Sequence, residues 1–259
     1  MEYPKNILFY RQKNMTNEEI YVIIDLCRSV QGVILCMRGV LMSEKVEKYV
    51  TCPKCEQQVM TEIVCSLNTE NDKDARSLIF DEKIFRWKCK KCGFQTKLFH
   101  PVLYSDIKNK FMVYYIPKIE RKQISDERLE LEFSDLSYVK KRVVASVNSM
   151  KEKIVLFEKN IDDLTLELTK SAVSEVVAKS TSRTVHSGYF MSMDEDKLTF
   201  QYFVGSDRRS YIQTISKEVF HRSSEIVKKY FSRENQKPGF LNINDVWAKE
   251  ALKKYKSNK

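Results

Sequence analysis

Two short stretches decide the fold of the first half of this chain, Thr51-Cys52-Pro53-Lys54-Cys55 and Cys89-Lys90-Lys91-Cys92-Gly93. In each stretch two residues separate a pair of cysteines, so both thiolates can reach one ion without strain. Two such turns supply the four sulfurs of a tetrahedral zinc site. The sequence therefore predicts a structural Zn²⁺ site whose ligands are Cys52, Cys55, Cys89 and Cys92.

Other interpretations of these cysteines stay open. The thiols could be reduced and free of metal, or one pair could be redox-active. A redox motif usually occurs once and starts a helix within a βαβ pattern, and this sequence meets neither condition. Cys65 follows Cys55 by ten residues and is a competing ligand, which we interpret as a small core residue. Cys27 and Cys36 have no ligand spacing.

The segment between the two cysteine pairs must itself be folded. It holds 33 residues, against roughly 15–20 in ordinary four-cysteine patterns. Its patterning predicts a strand at 59–67, a short helix at 72–80 and a strand at 84–88. Beyond Gly93, strands at 96–99 and 111–116 are predicted to form a hairpin with a polar loop at 104–110. The result is a zinc-ribbon-like β module with an inserted short helix.

A family resemblance rests on these residues. The two cysteine motifs, followed by His100-Pro101-Val102-Leu103-Tyr104-Ser105-Asp106 and Phe111-Met112-Val113-Tyr114-Tyr115-Ile116-Pro117, resemble the bacterial CpXC family. The second motif has Lys90 where the family's name places proline. The resemblance covers about residues 50–120 and continues weakly over 148–170, through Glu152-Lys153-Ile154 and Asp162-Asp163. It implies a fold and a bound metal but no activity, since the family is functionally uncharacterised.

The second half of the chain alternates helical and strand patterns. Ser149 and Glu152 fit a capping box at the start of a helix that ends near Asn160. Asp162-Asp163 should begin a second helix, and residues 198–215 should form a β-hairpin. Ser216 is predicted to cap a helix to about residue 232, and a last helix should begin at Asn244 or Asp245. The fold class is therefore α+β, with a mixed helix and hairpin C-terminal domain.

These patterns divide the chain into four parts. We expect an N-terminal extension at 1–49, a CpXC-like domain at 50–117, a linker at 118–138 and a mixed domain at 139–259. The linker can carry an edge strand at 129–133. Met42 is a candidate translation start directly ahead of the cysteine module, which would leave residues 1–41 untranslated. The alternative is a genuine helix at 17–36, capped by Thr16.

Composition and charge indicate a globular protein without a membrane span, but they do not identify a binding partner. The 259 residues are 42% hydrophobic and carry a net charge of +10, and no apolar run approaches the roughly 20 residues of a membrane span. We therefore expect a cytoplasmic protein. Residues 216–259 hold eleven Lys or Arg and five Asp or Glu, so six of the ten excess charges lie there. Basic residues interleaved with tyrosines are typical of nucleic-acid contact, and they are also typical of a solvated surface.

Three functions remain, and they belong to different classes. We expect a non-catalytic protein-interaction module whose zinc is structural. Nucleic-acid binding through the zinc ribbon and the basic C-terminal region is the alternative. An enzyme is favoured least, because four cysteine ligands leave no open metal position, and because Asp162, Asp163 and Glu167 fit a helix N-terminus better than a catalytic cluster. His100, His186 and His221 sit at no ligand spacing. The oligomeric state stays open.

Overall fold

A computed structural model describes residues 43–119 and 136–257, together with the backbone of two short strands at Val22–Ile23 and Gln123–Ile124. Cys27, Cys36, Met42 and the predicted edge strand at 129–133 lie outside the described residues. The alternative helix at 17–36 is wrong at Val22–Ile23, which form a strand parallel to residues 98–99.

The described elements confirm the α+β class. The strands are β1 (Val22–Ile23), β2 (Glu44–Thr51), β3 (Gln58–Asn68), β4 (Arg86–Lys88), β5 (Gln95–Phe99), β6 (Val102–Asp106), β7 (Phe111–Tyr115), β8 (Gln123–Ile124), β9 (Lys140–Val144), β10 (Val185–Met193), β11 (Lys197–Val204), β12 (Arg209–Ser216) and β13 (Phe240–Leu241). The helices are α1 (Ala75–Phe80), α2 (Val147–Glu158), α3 (Asp163–Thr181), α4 (Lys217–Tyr230) and α5 (Asp245–Ser257). Among the described residues, no helix combines the length and apolar character needed to cross a bilayer.

The chain folds into two compact units. The cysteine unit comprises the described residues up to 151 and residues 238–241, and the helical unit comprises 152–237 and 242–257. The boundary falls within α2. The sequence-based division at residues 49, 117 and 138 stays a prediction.

A seven-stranded sheet forms the cysteine unit, in the order β2-β3-β6-β7-β9-β13-β8. β2 and β3 form an antiparallel hairpin, and the end of β3 continues into the sheet by pairing in parallel with β6. β9 pairs in parallel with β7 and with β13. Leu103, Met112, Tyr114, Val143 and Phe240 are almost completely buried in one core cluster of this unit. The first cysteine motif thus connects β2 and β3 at one edge of this sheet.

The predicted hairpin between residues 96–99 and 111–116 is wrong. β7 pairs instead with β6, across a turn at Ile107–Lys110, while β5 pairs with β4 and β1. The predicted polar loop at 104–110 is wrong for its first three residues, because Tyr104, Ser105 and Asp106 are buried in β6. Ser105 and Asp106 are polar, which hides this buried strand from a count of apolar residues. Their burial is tolerated because both side chains are hydrogen-bonded: Ser105 Oγ donates to Leu67 O, and the Asp106 carboxylate accepts from the backbone and side-chain amides of Asn109.

The helical unit matches the local predictions. β11 and β12 form the predicted hairpin, and β10 adds a third antiparallel strand. The side chain of Ser216 accepts a hydrogen bond from Glu218 N and caps α4 as predicted. Asn244 Oδ1 accepts from Val246 N and Trp247 N at the start of α5. The predicted capping box at Ser149 is wrong, because α2 begins at Val147 and Ser146 Oγ accepts the bond from Ser149 N.

His100 gives the cysteine unit a predicted sensitivity to acid. Its ring lies between the carbonyl oxygens of Pro101 and Ile84, at 3.1 and 3.4 Å, and contacts the ring of Phe85. Burial lowers the pKa of His100, and the two carbonyl contacts only partly oppose this. A lowered folded-state pKa means that the unfolded chain binds the proton more tightly, so stability is lost as pH falls below about 6.5.

We expect His100→Gln to flatten the pH dependence of unfolding between about pH 6.5 and 5, because glutamine keeps a donor for a carbonyl but does not titrate. Urea unfolding at each pH, with equal metal content in both proteins, measures the slope. His221→Gln is the control, since His221 is exposed on α4. Equal slopes for all three proteins would show that His100 does not titrate in this range.

Candidate metal centre

The two cysteine motifs form turns with the same backbone hydrogen bonds. In the first turn, Cys52 N donates to Gln57 O at 3.0 Å and Glu56 N donates to Cys52 O at 2.8 Å. In the second, Cys89 N donates to Phe94 O at 2.8 Å and Gly93 N donates to Cys89 O at 2.9 Å. Each turn closes an antiparallel hairpin, β2–β3 or β4–β5. Two equivalent hairpins therefore present two equivalent pairs of thiols.

The four sulfurs of these turns meet in one cluster. The Sγ atoms of Cys52, Cys55, Cys89 and Cys92 all lie within 4.8 Å of one another, so this group could hold a metal ion. Cys52 Sγ lies 3.7 Å from Cys92 Sγ, and Cys55 Sγ lies 3.8 Å from Cys89 Sγ. Cys52 and Cys89 are buried, Cys55 is half-buried and Cys92 is exposed. The cluster therefore lies at the surface, with one side against protein and the other towards solvent.

Backbone amides favour the charged form of the first thiol. Burial raises the pKa of Cys52, but hydrogen bonds from the N–H groups of Cys55 and Lys54 and with the thiols of Cys55 and Cys92 together outweigh it and lower this pKa to about 7. The N–H of Gln57 lowers the pKa of Cys55, whereas burial and hydrogen bonds to the other three sulfurs raise it to about 12. The thiol of Cys52 thus loses its proton easily, whereas the proton of Cys55 is held by hydrogen bonds with the neighbouring sulfurs. A divalent cation among four sulfurs would replace those shared protons.

A small apolar cluster fixes the two hairpins beneath the sulfurs. Val50, Val59, Trp87 and Leu98 are buried in it together with Cys52 and Cys89. Trp87 Nε1 also donates to Thr61 Oγ1 at 3.0 Å, which joins β4 to β3. The positions of the sulfurs are therefore set by packing as well as by the turns themselves.

The residue after the second cysteine differs between the two turns. Glu56 (φ 58°) and Gly93 (φ 73°) each follow the second cysteine of a pair, in the left-handed region that favours glycine. A Cβ atom at Gly93 would meet nothing within 4 Å, so only the backbone conformation penalises a side chain there.

We expect Gly93→Ala to destabilise the metal-loaded protein by about 1 kcal/mol and Glu56→Gly to cause no loss, because the first adds left-handed strain and the second removes it. Thermal unfolding midpoints of the two variants and the parent chain measure the difference. Equal decreases in the unfolding midpoint for both variants would show that a property other than backbone strain determines which residue is favoured at positions 56 and 93.

The remaining singled-out residues lie apart from the sulfur cluster. Cys65 is buried and its Sγ faces Ile63 O at 3.9 Å, which confirms its interpretation as a core residue. His100 is buried and His221 is exposed, and neither belongs to a metal-ligating group within the described ranges. Asp162 caps α3, since its carboxylate accepts from Thr165 N at 2.9 Å and Thr165 Oγ1 at 2.6 Å. The helix-terminus interpretation is thus confirmed for Asp162.

Asp163 and Glu167 belong instead to a buried ionic cluster in the helical unit. Lys153 Nζ lies 2.9 Å from Asp163 Oδ2 and 3.2 Å from Glu167 Oε1. Lys170 Nζ lies 3.1 Å from Glu167 Oε1 and 2.8 Å from Glu152 Oε2, and Glu152 Oε1 accepts from Phe190 N. All five charged side chains are at least 90% buried. The sequence analysis missed this cluster, although positions 163, 167 and 170 share one face of a helix by their spacing.

Comparison with known proteins adds one match. The family model described as CpXC protein matches residues 50–170, which include both cysteine turns and the five buried charged residues. No curated protein and no solved structure matches the chain significantly. The family match agrees with the resemblance seen in the cysteine motifs and with its weaker continuation over residues 148–170. Over residues 50–170 this chain is therefore similar to the CpXC family.

Proposed function

We propose that Cys52, Cys55, Cys89 and Cys92 bind one structural Zn²⁺ and that the chain acts as a non-catalytic protein-interaction module in the cytoplasm. The observation that carries this proposal is the convergence of four sulfurs from two equivalent turns. Structural zinc sites have four protein ligands, commonly four cysteines, whereas catalytic sites keep a position for water or substrate. The four thiols would also stay reduced, and so available to a metal, in the cytoplasm.

An exposed apolar pair supports the interaction role. Tyr49 and Met60 face each other across β2 and β3, in the hairpin that ends in the first cysteine turn. Their exposed fractions are 67% and 39%. Tyrosine and methionine are enriched where proteins bind other proteins, and an apolar pair held by a metal-fixed hairpin is pre-organised for contact.

Two measurements test the proposal. Elemental analysis of the purified chain should give one zinc per chain, and a value near zero after purification under reducing conditions would contradict the metal site. Proteins retained from a lysate by the parent chain should be lost with the double variant Tyr49→Ser, Met60→Ser at unchanged zinc content. Val176→Ser is the control, because Val176 is 60% exposed on α3. Equal retention by all proteins would reject the hairpin as the contact surface.

Nucleic-acid binding remains the second candidate, because cations and tyrosines meet at the ends of α4 and α5. The rings of Tyr230 and Tyr255 pack with centroids 5.6 Å apart, and Lys229 Nζ lies 5.1 Å from the Tyr230 ring centroid. Lys228 and Lys254 are close to these tyrosines in the sequence. Both lysines are exposed, and neither forms an ion pair with any described residue. Lysines at helix C-termini also complement the helix dipole, so their presence alone does not require a ligand.

A salt series distinguishes this candidate. Binding to mixed-sequence DNA and RNA should weaken linearly in a log–log plot, with a slope that gives the number of phosphates contacted. Replacing Lys228 and Lys254 by glutamine should reduce that slope by about two if both contact phosphates. Absence of binding even at low salt would reject the candidate and assign the charge of +10 to solubility.

A further inference from the structure

β2 forms one edge of the seven-stranded sheet. Within residues 43–119, 136–257 and the two short strands, β3 is its partner on one side and no strand pairs with the other side. The register shift between β2 and β3 joins Glu44 to Ser66 and Lys45 to Val64, so the extra residue is Cys65 on β3. β2 itself is therefore regular over eight residues and contains no proline. Its outer edge offers backbone groups to another strand.

The charges of β2 favour one pairing register over the others when two copies of this strand meet. The strand begins Glu44-Lys45-Val46-Glu47-Lys48. When two copies of one strand pair antiparallel about a two-fold axis, two facing residues either both direct their backbone N–H and C=O groups towards the other strand or both direct them away. These directions alternate along a strand, so the sequence numbers of two facing residues differ by an even number. The axis then passes through a residue, which faces its own copy.

Each central register can be judged by the charges it opposes. Centring on Glu44, Lys45, Glu47 or Lys48 places two identical charges face to face, which is destabilising. Centring on Val46 places Val46 against its copy, Glu44 against Lys48 and Lys45 against Glu47. Because of the two-fold symmetry, this register contains four attractive pairs. Charges on an edge strand normally prevent pairing, and here they prevent it in the neighbouring registers while favouring one.

Within the cysteine unit, the carboxylates of Glu44 and Glu47 on β2 have no ion-pair partner among the described residues. Glu47 faces Glu62 across β2 and β3, and Lys45 Nζ pairs with Glu62 at 2.8 Å. Glu47 is exposed, whereas Glu44 Oε2 is buried and accepts no hydrogen bond from any of the described residues. In the register centred on Val46, the partner's Lys45 would lie beside Glu47 and the partner's Lys48 beside Glu44.

We propose that two copies of this chain associate through β2, antiparallel and centred on Val46, to extend the sheet across the dimer. This inference goes beyond the proposed function, because it requires neither the metal nor a different protein. The occupant of the edge is a second copy because the charge pattern of β2 is complementary to itself.

Charge reversal tests both the interface and its register. The full chain should be a dimer by analytical ultracentrifugation over a concentration series. Lys45→Glu and Glu47→Lys should each weaken dimerisation by roughly tenfold or more, because each turns two attractive pairs into repulsive ones. A 1:1 mixture of the two variants should restore the dimer, since every facing pair is then opposite in charge. Glu195→Lys, at an exposed turn in the helical unit, makes the same charge change as Glu47→Lys and should leave the dimer intact.

Each other result overturns the proposal. A monomeric parent chain over the whole concentration series would mean that another part of the chain, or nothing, covers β2. A dimer that persists in both single variants would place the interface elsewhere. Failure of the mixture to dimerise, when both variants keep the parent circular dichroism spectrum and zinc content, would reject the register. Protection of the amides of residues 44–48 from hydrogen exchange should accompany dimer formation.

Discussion

Cys89→Ser should lower the zinc content from one equivalent to a small fraction and unfold the cysteine unit at ordinary temperature. Cys89 is buried, and its Sγ lies 3.8 Å from Cys55 Sγ at the centre of the cluster. A structural Zn²⁺ has an apparent binding free energy on the order of 10 kcal/mol, which counts directly as folding free energy. We therefore expect a loss of more than about 3 kcal/mol in the free energy of unfolding, measured by urea titration.

Cys65→Ala is the matched control for this prediction. Cys65 is as buried as Cys89, but its sulfur lies 3.9 Å from the Ile63 carbonyl oxygen and is not part of the four-sulfur cluster. This variant should keep one full zinc equivalent and lose only about 1 kcal/mol, as small core truncations do. A Cys89→Ser protein that keeps a full equivalent of zinc would refute the ligand assignment. A chelator should reproduce the unfolding in the parent chain and have no further effect on Cys89→Ser.

Local features of this fold could be predicted from the sequence. The cysteine turns, the β11–β12 hairpin and the caps at Asp162 and Ser216 depend on residues a few positions apart. Turn chemistry and period-two alternation encode such features within one short window. The four sulfurs could be placed together because the spacing and a known ligand geometry constrain them, although 33 residues separate the two pairs.

Pairings between distant strands were not predictable. The parallel pairs β3–β6 and β7–β9 join segments separated by whole elements, and a single sequence carries no signal of which edges meet. β6 was hidden because its polar residues Ser105 and Asp106 are buried. The ionic cluster was hidden for the same reason, since Asp163 and Glu167 read as a solvated helix start until tertiary packing buries them.

Lys170→Met should destabilise the helical unit by roughly 3–5 kcal/mol, because it removes one partner from a buried ionic cluster. The cluster holds three carboxylates (Glu152, Asp163, Glu167) and two ammonium groups (Lys153, Lys170), a formal charge of −1. Loss of Lys170 leaves three carboxylates against one ammonium group, a formal charge of −2 among buried side chains. Urea unfolding at neutral pH measures the cost. Lys249→Met is the control, since its pair with Asp245 is more than 60% exposed and should be worth under about 0.5 kcal/mol.

Glu167→Gln should cost much less than Lys170→Met, because it brings the cluster to neutrality. The Oε2 atom of Glu167 is buried and accepts no hydrogen bond from the described residues, so no hydrogen bond is lost there. The amide oxygen of glutamine can take the Oε1 position and still accept from Lys153 and Lys170. Burial lowers the pKa of Lys170, but the charges of Glu152 and Glu167 outweigh it and raise that pKa above its ordinary 10.5. A raised folded-state pKa contributes stability that is complete below about pH 10.5 and is lost as pH rises further. That alkaline loss should disappear in Lys170→Met, and equal costs for the two variants would contradict the account based on net charge.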